Sequence, residues 1–293
     1  MRHAALRIHG ALALVAILFS SNYIISKLAM NSFSPMTFAY LRVLGSAVVL
    51  NAILSDKGAA PLSRDQTLRL ILYSILGVVL NQSLFLAGLA LTSAHVAAIL
   101  ITSIPIFALA AAMILGRERG TPAKIGGIAL AAAGALLVVG AEGFEGAFRS
   151  LVGDLLILGN SLSFALYLVL SKPMMAHLSA RRVIGRMFTI AAIAMVPIAA
   201  WPMATERWSA IPERAWIALV LVIIGPTVAA YLLNAWALTH AESSVVAAYT
   251  YLQPVITTIL AAIFLGERIR PVAMVAGALI FTGVYVSGGT RKL

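Results

Sequence analysis

The sequence predicts an all-α integral membrane protein in which ten transmembrane helices form two inverted five-helix repeats around a central cavity. Hydrophobic residues make up 61% of the chain and charged residues 11%, whereas soluble globular domains contain roughly 45–50% and 25%. The apolar residues are grouped in blocks of about 20, the length that crosses a bilayer. The two halves of the chain also share an ordered series of short motifs.

Ten apolar blocks follow one another along the chain and leave no stretch for a soluble catalytic domain. The first block is too long for a cleaved signal peptide. The blocks are Ile8–Met30, Pro35–Leu54, Leu68–Leu91, Ala94–Leu115, Pro122–Gly140, Gly153–Met175, Val183–Met203, Ala215–Leu238, Ser243–Leu265 and Pro271–Gly288.

The net charge of +11 is distributed as a membrane topology signal. Lys and Arg lie mainly at block ends that face one side, which by the positive-inside rule places both termini in the cytoplasm. Lys27 and Arg42 are exceptions, expected near the outer ends of the first two helices, either reaching the interface or attracting carboxylates to a cavity mouth. We expect no nucleic-acid partner. Cysteine is absent, which excludes disulfides and thiolate metal sites.

An internal repeat divides the chain into residues 1–145 and 146–293, with a linker at Ala141–Ser150. The matched pairs, each separated by 149 positions, are Pro105 and Pro254, Glu118 and Glu267, and Pro122 and Pro271. Each half contains five helices, an odd number, so the second half enters the membrane inverted. Inverted repeats are typical of secondary transporters, whose substrate sites lie near the membrane midplane.

Polar side chains inside the helices are candidates for lining a cavity, because polar groups in lipid must find partners within the protein. They could instead only connect helices by hydrogen bonds. The candidates are Asn22, Tyr23, Tyr73, Asn81, Gln82, Thr102, Asn160, Tyr167, Tyr231, Asn234, Tyr249, Tyr251 and Gln253. Helices 5 and 10 lack such residues but contain Gly127, Ala131, Gly134, Ala273, Gly277 and Gly283, which predict close packing of a scaffold.

Pro105 and Pro254 are predicted hinges for gating. Proline removes a backbone donor and frees the carbonyl four residues earlier, here at Ile101 and Thr250. Each freed carbonyl could bind a substrate ammonium or accept a Ser or Thr hydroxyl. The symmetric placement of the two prolines favours a role in gating.

The acidic residues lie outside the membrane midplane in this interpretation. Glu118 and Glu267 lie at helix ends, where ion pairing with Arg117, Arg119 and Arg268, or capping of neighbouring amides, explains them. A cavity lined by amides, hydroxyls and aromatic rings suits a neutral or zwitterionic solute with an apolar side chain. No catalytic motif and no metal-ligand cluster occurs, so we expect neither an enzyme nor a cofactor.

The residues also resemble a known family. The segment Phe19-Ser20-Ser21-Asn22-Tyr23 with Lys27, the residue Arg42, and the Pro-x12-Glu spacing of Pro105 and Pro254 resemble the EamA-type branch of the drug/metabolite transporter superfamily. The chain is most similar to bacterial exporters of amino acids, including aromatic ones. This resemblance implies a monomeric ten-helix bundle with a central cavity in the bacterial inner membrane, surrounded by lipid, and an outward direction of transport, but no particular substrate. From the polar and aromatic lining we expect the substrates to be amino acids or similar metabolites, with hydrophobic and aromatic amino acids as the leading candidates.

Three alternatives remain at this point. The substrate could be a drug, a nucleobase or a sugar conjugate. An intramembrane enzyme is disfavoured by the absence of a catalytic motif, and a purely structural or receptor-like protein by the inverted repeat. Coupling to protons, or its absence, is left open.

Overall fold

The computed structural model describes residues 2–53, 62–117, 119–145, 148–178, 180–240, 249, 252–268 and 271–288. Every regular element in these ranges is helical. The first half contains α1 (Arg2–Ala29), α2 (Pro35–Ile53), α3 (Arg64–Ser74), a π-helical segment (Ile75–Leu80), α4 (Asn81–Leu89), α5 (Ala94–Ile101), α6 (Ile104–Ile114) and α7 (Pro122–Glu145).

The regular elements in the described residues of the second half are also all helical. It contains α8 (Phe148–His177), α9 (Ala180–Ala194), α10 (Val196–Thr205), a 3₁₀ turn (Trp208–Ala210), α11 (Glu213–Val222), a second π-helical segment (Ile223–Ala229), α12 (Ala230–His240), α13 (Leu252–Leu265) and α14 (Pro271–Gly288).

The helices confirm a multi-pass, all-α membrane protein. Within the described residues, six helices are long and apolar enough to cross a membrane, and the pair α9 and α10, bent by 56°, makes a seventh. Three further apolar helices are shorter: Pro122–Leu137, Leu252–Leu265 and Pro271–Gly283. The count of ten spans therefore stays a prediction.

Two boundaries differ from the sequence-based expectation. The predicted linker Ala141–Ser150 is mostly helical, because α7 continues to Glu145 and α8 already begins at Phe148. Helix α8 therefore starts five residues before the predicted Gly153. The predicted start of the helix lies where the apolar block begins. It therefore misses the first turn of α8, because Phe148–Val152 includes the polar residues Arg149 and Ser150.

The fourth predicted helix is interrupted next to Pro105. Helix α5 ends at Ile101, and α6 begins at Ile104 with the proline in its first turn. The Thr102 and Ser103 amides donate to the Ile99 and Leu100 carbonyls, a tighter three-residue pattern. The break lies at the position of the predicted hinge, and the role of Pro105 in gating stays a prediction. Pro254 is buried in α13, but the residue that precedes α13 lies outside the described ranges.

Two pairs of unusual backbone features follow the repeat. The π-helical segments Ile75–Leu80 and Ile223–Ala229 occupy corresponding places in the third apolar block of each half. Gly116 and Gly266, with φ of 67° and 65°, adopt the left-handed conformation after α6 and α13. Glycine tolerates this conformation because it has no Cβ. The backbone thus repeats where the sequence motifs repeat.

Helices α7 and α14 pack closely through small residues, as the sequence predicts. A Cβ on Gly134 would lie 2.8 Å from the Ala276 carbonyl oxygen, and a Cβ on Gly283 only 2.5 Å from the Gly127 carbonyl oxygen. The backbones therefore approach too closely for larger side chains. These two helices form the scaffold, while the polar contacts described next lie among the other helices.

Candidate functional site

A buried cation lies near the middle of α2. The Arg42 side chain is 2% exposed, and its Nε donates a hydrogen bond of 2.8 Å to Oγ1 of Thr227 in the second π-helical segment. The Thr227 hydroxyl in turn donates to the Val222 carbonyl oxygen at 2.8 Å. Arg42 lies seven residues after the first residue of α2 and is buried against the second half of the chain, and its predicted place near the outer end of the helix stays a prediction.

Aromatic side chains surround Tyr231 beside this cation. Its ring meets the Phe19 ring edge-on at 6.2 Å and the Phe188 ring edge-on at 5.5 Å between centroids. Edge-to-face contact is a favourable geometry for aromatic pairs. Tyr231 also lies near the Arg42 guanidinium and the Gln82 side chain.

Tyr167 completes this arrangement from α8. It lies near Tyr231, and its ring lies over Gly77, where a Cβ would come within 2.7 Å of the ring. We call the whole set the central cluster: Phe19, Arg42, Gln82, Tyr167, Phe188, Thr227 and Tyr231. It draws on both halves of the chain, and Gln82, Tyr167 and Tyr231 were predicted as lining residues.

The first π-helical segment is held by side chains from α8. Ser163 Oγ donates to the Leu76 carbonyl oxygen at 2.8 Å, and Asn160 Nδ2 donates to the Asn81 carbonyl oxygen at 2.6 Å. A π-helical turn shifts the backbone hydrogen bonds and leaves carbonyls to be satisfied from outside, and such turns are frequent at functional sites. Asn160 is thus engaged in joining helices.

Several other predicted lining residues also join or stabilise helices. Tyr73 Oη donates to the Leu170 carbonyl oxygen at 2.9 Å, and Thr102 Oγ1 to the Ile99 carbonyl oxygen at 2.5 Å. Tyr23 is buried edge-on against Phe85. These contacts fit the alternative in which intramembrane polar groups mainly connect helices.

The remaining predicted residues are dispersed. Asn22 accepts from the Ser26 hydroxyl at 3.0 Å, Asn81 accepts from Gln82 Nε2 at 3.3 Å, and the Gln253 carbonyl accepts from Ser20 at 3.4 Å. Asn234 is half-buried in α12.

Tyr249 belongs to a different part of the molecule. Its hydroxyl lies 2.8 Å from His9 Nδ1, and it packs on a separate apolar cluster around Leu12 and Ala237. Tyr251 lies outside the described residues.

A second polar group, at the end of the molecule where α1 ends, centres on Glu267. Its carboxylate lies 3.0 Å from Lys27 Nζ and 2.8 Å from His95 Nδ1. It also accepts the backbone amides of Ala94 and His95, at 2.9 and 3.2 Å. Glu267 thus caps the first turn of α5, where the helix dipole favours a negative charge.

The surroundings of Glu267 stabilise its ionised form. Burial by itself raises the pKa of this carboxyl, but the hydrogen bonds from His95 and the Ala94 amide, together with the charge of Lys27, lower it to about 2. Hydrogen bonds and a nearby cation favour a carboxylate over the neutral acid. The predicted capping role holds, although the capped amides are remote in sequence and the ion pair is with Lys27.

A buried carboxylate adjoins this group. Lys27 Nζ donates to the Thr92 carbonyl oxygen at 2.7 Å, and Thr92 Oγ1 donates to Asp154 Oδ1 at 2.6 Å. Asp154 is fully buried within Phe148–Ser171, one of the candidate spans. We call the set the outer cluster: Lys27, Thr92, His95, Asp154 and Glu267. The expectation that acids lie only in loops or at helix ends is wrong for Asp154, because α8 starts earlier than its polarity indicates.

Two cavities, of about 410 and 230 Å³, are lined by residues outside the central cluster, among them Met36 and Arg149 in the first and Phe107 and Leu162 in the second. The central cavity therefore stays a prediction. The sequence analysis names Arg42 as a possible attractor of carboxylates at a cavity mouth, but it does not include Arg42 among the lining residues.

Comparison with known proteins decides the family. Residues 7–140 and 151–289 each match the model of the EamA-like transporter family. The chain belongs to this family. The EamA-like family is a family of transporters and not of enzymes, which confirms the expectation that the chain is no enzyme. The chain therefore contains two EamA-like domains.

Relatives of this EamA-like chain agree with that assignment. An uncharacterized transporter of Archaeoglobus fulgidus is 27% identical over 95% of this chain and 96% of its own length. A probable terminal-alkyne amino-acid exporter of Streptantibioticus cattleyicolor is 24% identical, covering 94% and 91%. The uncharacterized inner membrane transporter YedA of Escherichia coli is 24% identical, covering 97% and 92%.

The fold of the EamA-like chain also has a counterpart among solved structures. One crystal structure superimposes with a TM-score of 0.67 at 19% identity, covering 94% of this chain and 96% of the other. At this identity the similarity concerns the fold alone.

Proposed function

We propose that the chain is a secondary transporter that exports amino acids, including aromatic and hydrophobic ones, by alternating access. The observation that carries this proposal is the central cluster, in which aromatic rings, an amide and hydroxyls from both halves meet around Tyr231. Aromatic faces bind apolar side chains and ammonium groups. The name of the Streptantibioticus relative, a probable amino-acid exporter, supports the same substrate class.

Alternating access is supported by the organisation of the two halves. Corresponding π-helical segments border the central cluster through Gly77 on one side and Thr227 on the other. Two related halves that contribute matched elements to one site suit a carrier that exposes this site to each side in turn. We propose ten spans, an inverted second half and a central cavity in the open states.

The setting of the protein is part of the proposal. We propose a monomer in a bacterial inner membrane with both termini in the cytoplasm. The charge distribution supports this orientation, and the inner membrane relative YedA supports the location. The outer cluster would then face the side opposite the cytoplasm.

Counterflow in proteoliposomes tests the function. Vesicles loaded with unlabelled Trp, Phe, Met or Thr receive the labelled amino acid outside, with and without a pH gradient. We expect transient accumulation of label for at least the aromatic amino acids. Tyr231→Phe should lower the rate, while Tyr285→Phe, at a side chain that is 80% exposed, serves as the matched control.

The result also decides between the alternatives. Absence of counterflow for every amino acid, with folded protein and both gradient conditions, would contradict the proposal and favour drugs, nucleobases or sugar conjugates. Accumulation only with a pH gradient would retain the substrate class and establish proton coupling.

A further inference from the structure

Arg42 is the feature of the central cluster that amino-acid stacking does not explain. It is the only charged residue of α2, a helix of 19 residues that is otherwise apolar or weakly polar. Its side chain is almost completely buried. An ionisable residue within a membrane helix is costly and marks a site of function more often than a structural one.

The charge of Arg42 has no counter-ion in the described part of the chain. The ion pairs found there join Lys27 to Glu267, Asp65 to Arg69 and His95 to Glu267. The guanidinium keeps its charge under all ordinary conditions. A buried charge without a partner is unfavourable, so the described residues leave the charge of Arg42 uncompensated.

The hydrogen bonds of Arg42 are incomplete as well. Nε donates to Thr227, but Nη1 is buried and has no hydrogen-bond partner. A role limited to joining α2 to the second half accounts for Nε alone. The free donor leaves part of the planar fork available, and that fork matches the two oxygens of a carboxylate.

The neighbours of Arg42 define the rest of the ligand. Tyr231 lies near Arg42, and its ring packs edge-on against the rings of Phe19 and Phe188. A molecule bound to the guanidinium would therefore extend its apolar part among aromatic rings.

We propose that Arg42 binds the carboxylate of the transported molecule, so that substrates carry an anionic carboxylate joined to an aromatic or aliphatic group. This inference rests on the proposed function and makes it more specific. A carboxylate completes the hydrogen bonding of the guanidinium and neutralises its charge. A lipophilic cation without a carboxylate would instead meet an uncompensated positive charge, so the site selects against such compounds.

Ligand-induced thermal stabilisation of the purified full-length protein tests the inference without transport. The probes are matched pairs that differ in one group: phenylalanine and phenylalaninamide, leucine and leucinamide, and 3-phenylpropionate and 3-phenylpropionamide. We expect the acids to raise Tm and the amides to leave it unchanged. Arg42→Gln should abolish the effect of the acids, and Arg214→Gln, at an exposed arginine, should preserve it.

Counterflow gives a second readout. We expect the KM for phenylalanine to rise about tenfold or more in Arg42→Gln, because a charge-assisted pair of hydrogen bonds is lost. The KM for phenylalaninamide, where it is transported at all, should not change. Arg42→Lys keeps the charge but not the planar fork, so it should recover part of the affinity for acids and none for amides.

The outcomes separate this inference from the proposed function. Equal stabilisation by acids and amides, or by neither, in the wild type overturns the inference whatever is transported. Amino-acid counterflow that is the same in folded Arg42→Gln and wild type overturns it and retains the function. Stabilisation by acids that depends on Arg42, without amino-acid counterflow, upholds it and contradicts the function. If Arg42→Gln does not fold, the test uses Arg42→Lys instead. A lower ratio of acid affinity to amide affinity than in the wild type supports the inference, and an unchanged ratio overturns it.

Discussion

The carboxylate of Glu267 lies 3.0 Å from the ammonium group of Lys27, which joins the loop after α13 to the end of α1. The same carboxylate accepts two backbone amides at the start of α5. Three segments that are distant in sequence therefore converge on one side chain. Because the group is largely shielded from solvent, its interactions are worth more than those of an exposed ion pair.

Replacing Glu267 should lower the stability of the protein. In Glu267→Gln the side-chain amide can still accept a hydrogen bond. The negative charge that interacts with Lys27, His95 and the N-terminus of α5 is lost. We expect a loss of about 1–3 kcal/mol, since breaking a charged hydrogen-bond network leaves donors unsatisfied. The measurement is the Tm of the purified protein in detergent.

The control for this prediction is another glutamate at the start of a helix. Glu213 lies in the first turn of α11 and is exposed, so Glu213→Gln should change Tm little. Equal loss in the two variants would show that Glu267 contributes no more than a surface carboxylate.

The contribution of Glu267 should depend on pH. Its pKa of about 2 in the folded protein lies below the value of about 4.3 in an unfolded chain. A lowered carboxyl pKa stabilises the fold above the unfolded value, and this stability is lost as the pH falls through the folded value. The Tm difference between wild type and Glu267→Gln should thus be full near pH 6 and shrink from about pH 4 downward. A difference that stays constant to about pH 3 would contradict the assigned pKa.

Much of the fold could be predicted from the sequence because lipid imposes simple rules. Block length and composition follow from the thickness and the apolarity of the bilayer. The small residues of α7 and α14 predict the close packing of these two helices. The repeat was visible because Pro105 and Pro254, with the motifs around them, recur at one offset. These signals are local or periodic, so a single sequence displays them.

The candidate site was predictable only in part. Residue type marks Gln82, Tyr167 and Tyr231 as candidates, but it marks Asn160 and Tyr73 equally, and those two bind carbonyls of neighbouring helices. Which polar group meets a carbonyl and which meets a ligand depends on rotation and bending of helices. The π-helical segments alter both the rotation and the bending of their helices, and no short sequence motif predicts these segments.

The contact of Thr227 with Arg42 should be stabilising. In Thr227→Val the shape is nearly kept, but the Nε donor loses its acceptor within the protein interior. Leaving a buried donor unsatisfied costs about 1–3 kcal/mol, so Tm should fall. Thr282→Val is the matched control, because Thr282 is exposed and donates only within its own helix. A Tm loss in Thr282→Val as large as in Thr227→Val would assign the effect to helix propensity.

Two predicted lining tyrosines should now differ in their effect on transport. Tyr231 belongs to the central cluster, whereas Tyr249 bonds to His9 in a separate packing unit. Removal of the hydroxyl in Tyr231→Phe should lower counterflow severalfold, and Tyr249→Phe should stay close to wild type. The measurement is the initial rate per folded molecule. A larger loss in Tyr249→Phe would move the substrate site away from Arg42.

The close approach of α7 and α14 should not tolerate a methyl group. In Gly283→Ala the new Cβ would lie 2.5 Å from the Gly127 carbonyl oxygen, a backbone atom that can yield only if the helices separate. Overpacking of this kind costs about 1–3 kcal/mol, so the Tm in detergent should fall. Gly277→Ala on the same helix is the matched control, since its nearest neighbour is 4.0 Å away. The gain in helix propensity is the same in both variants, so a fall in Gly283→Ala alone isolates the steric effect, and equal Tm values would show that α7 and α14 are not in such close contact.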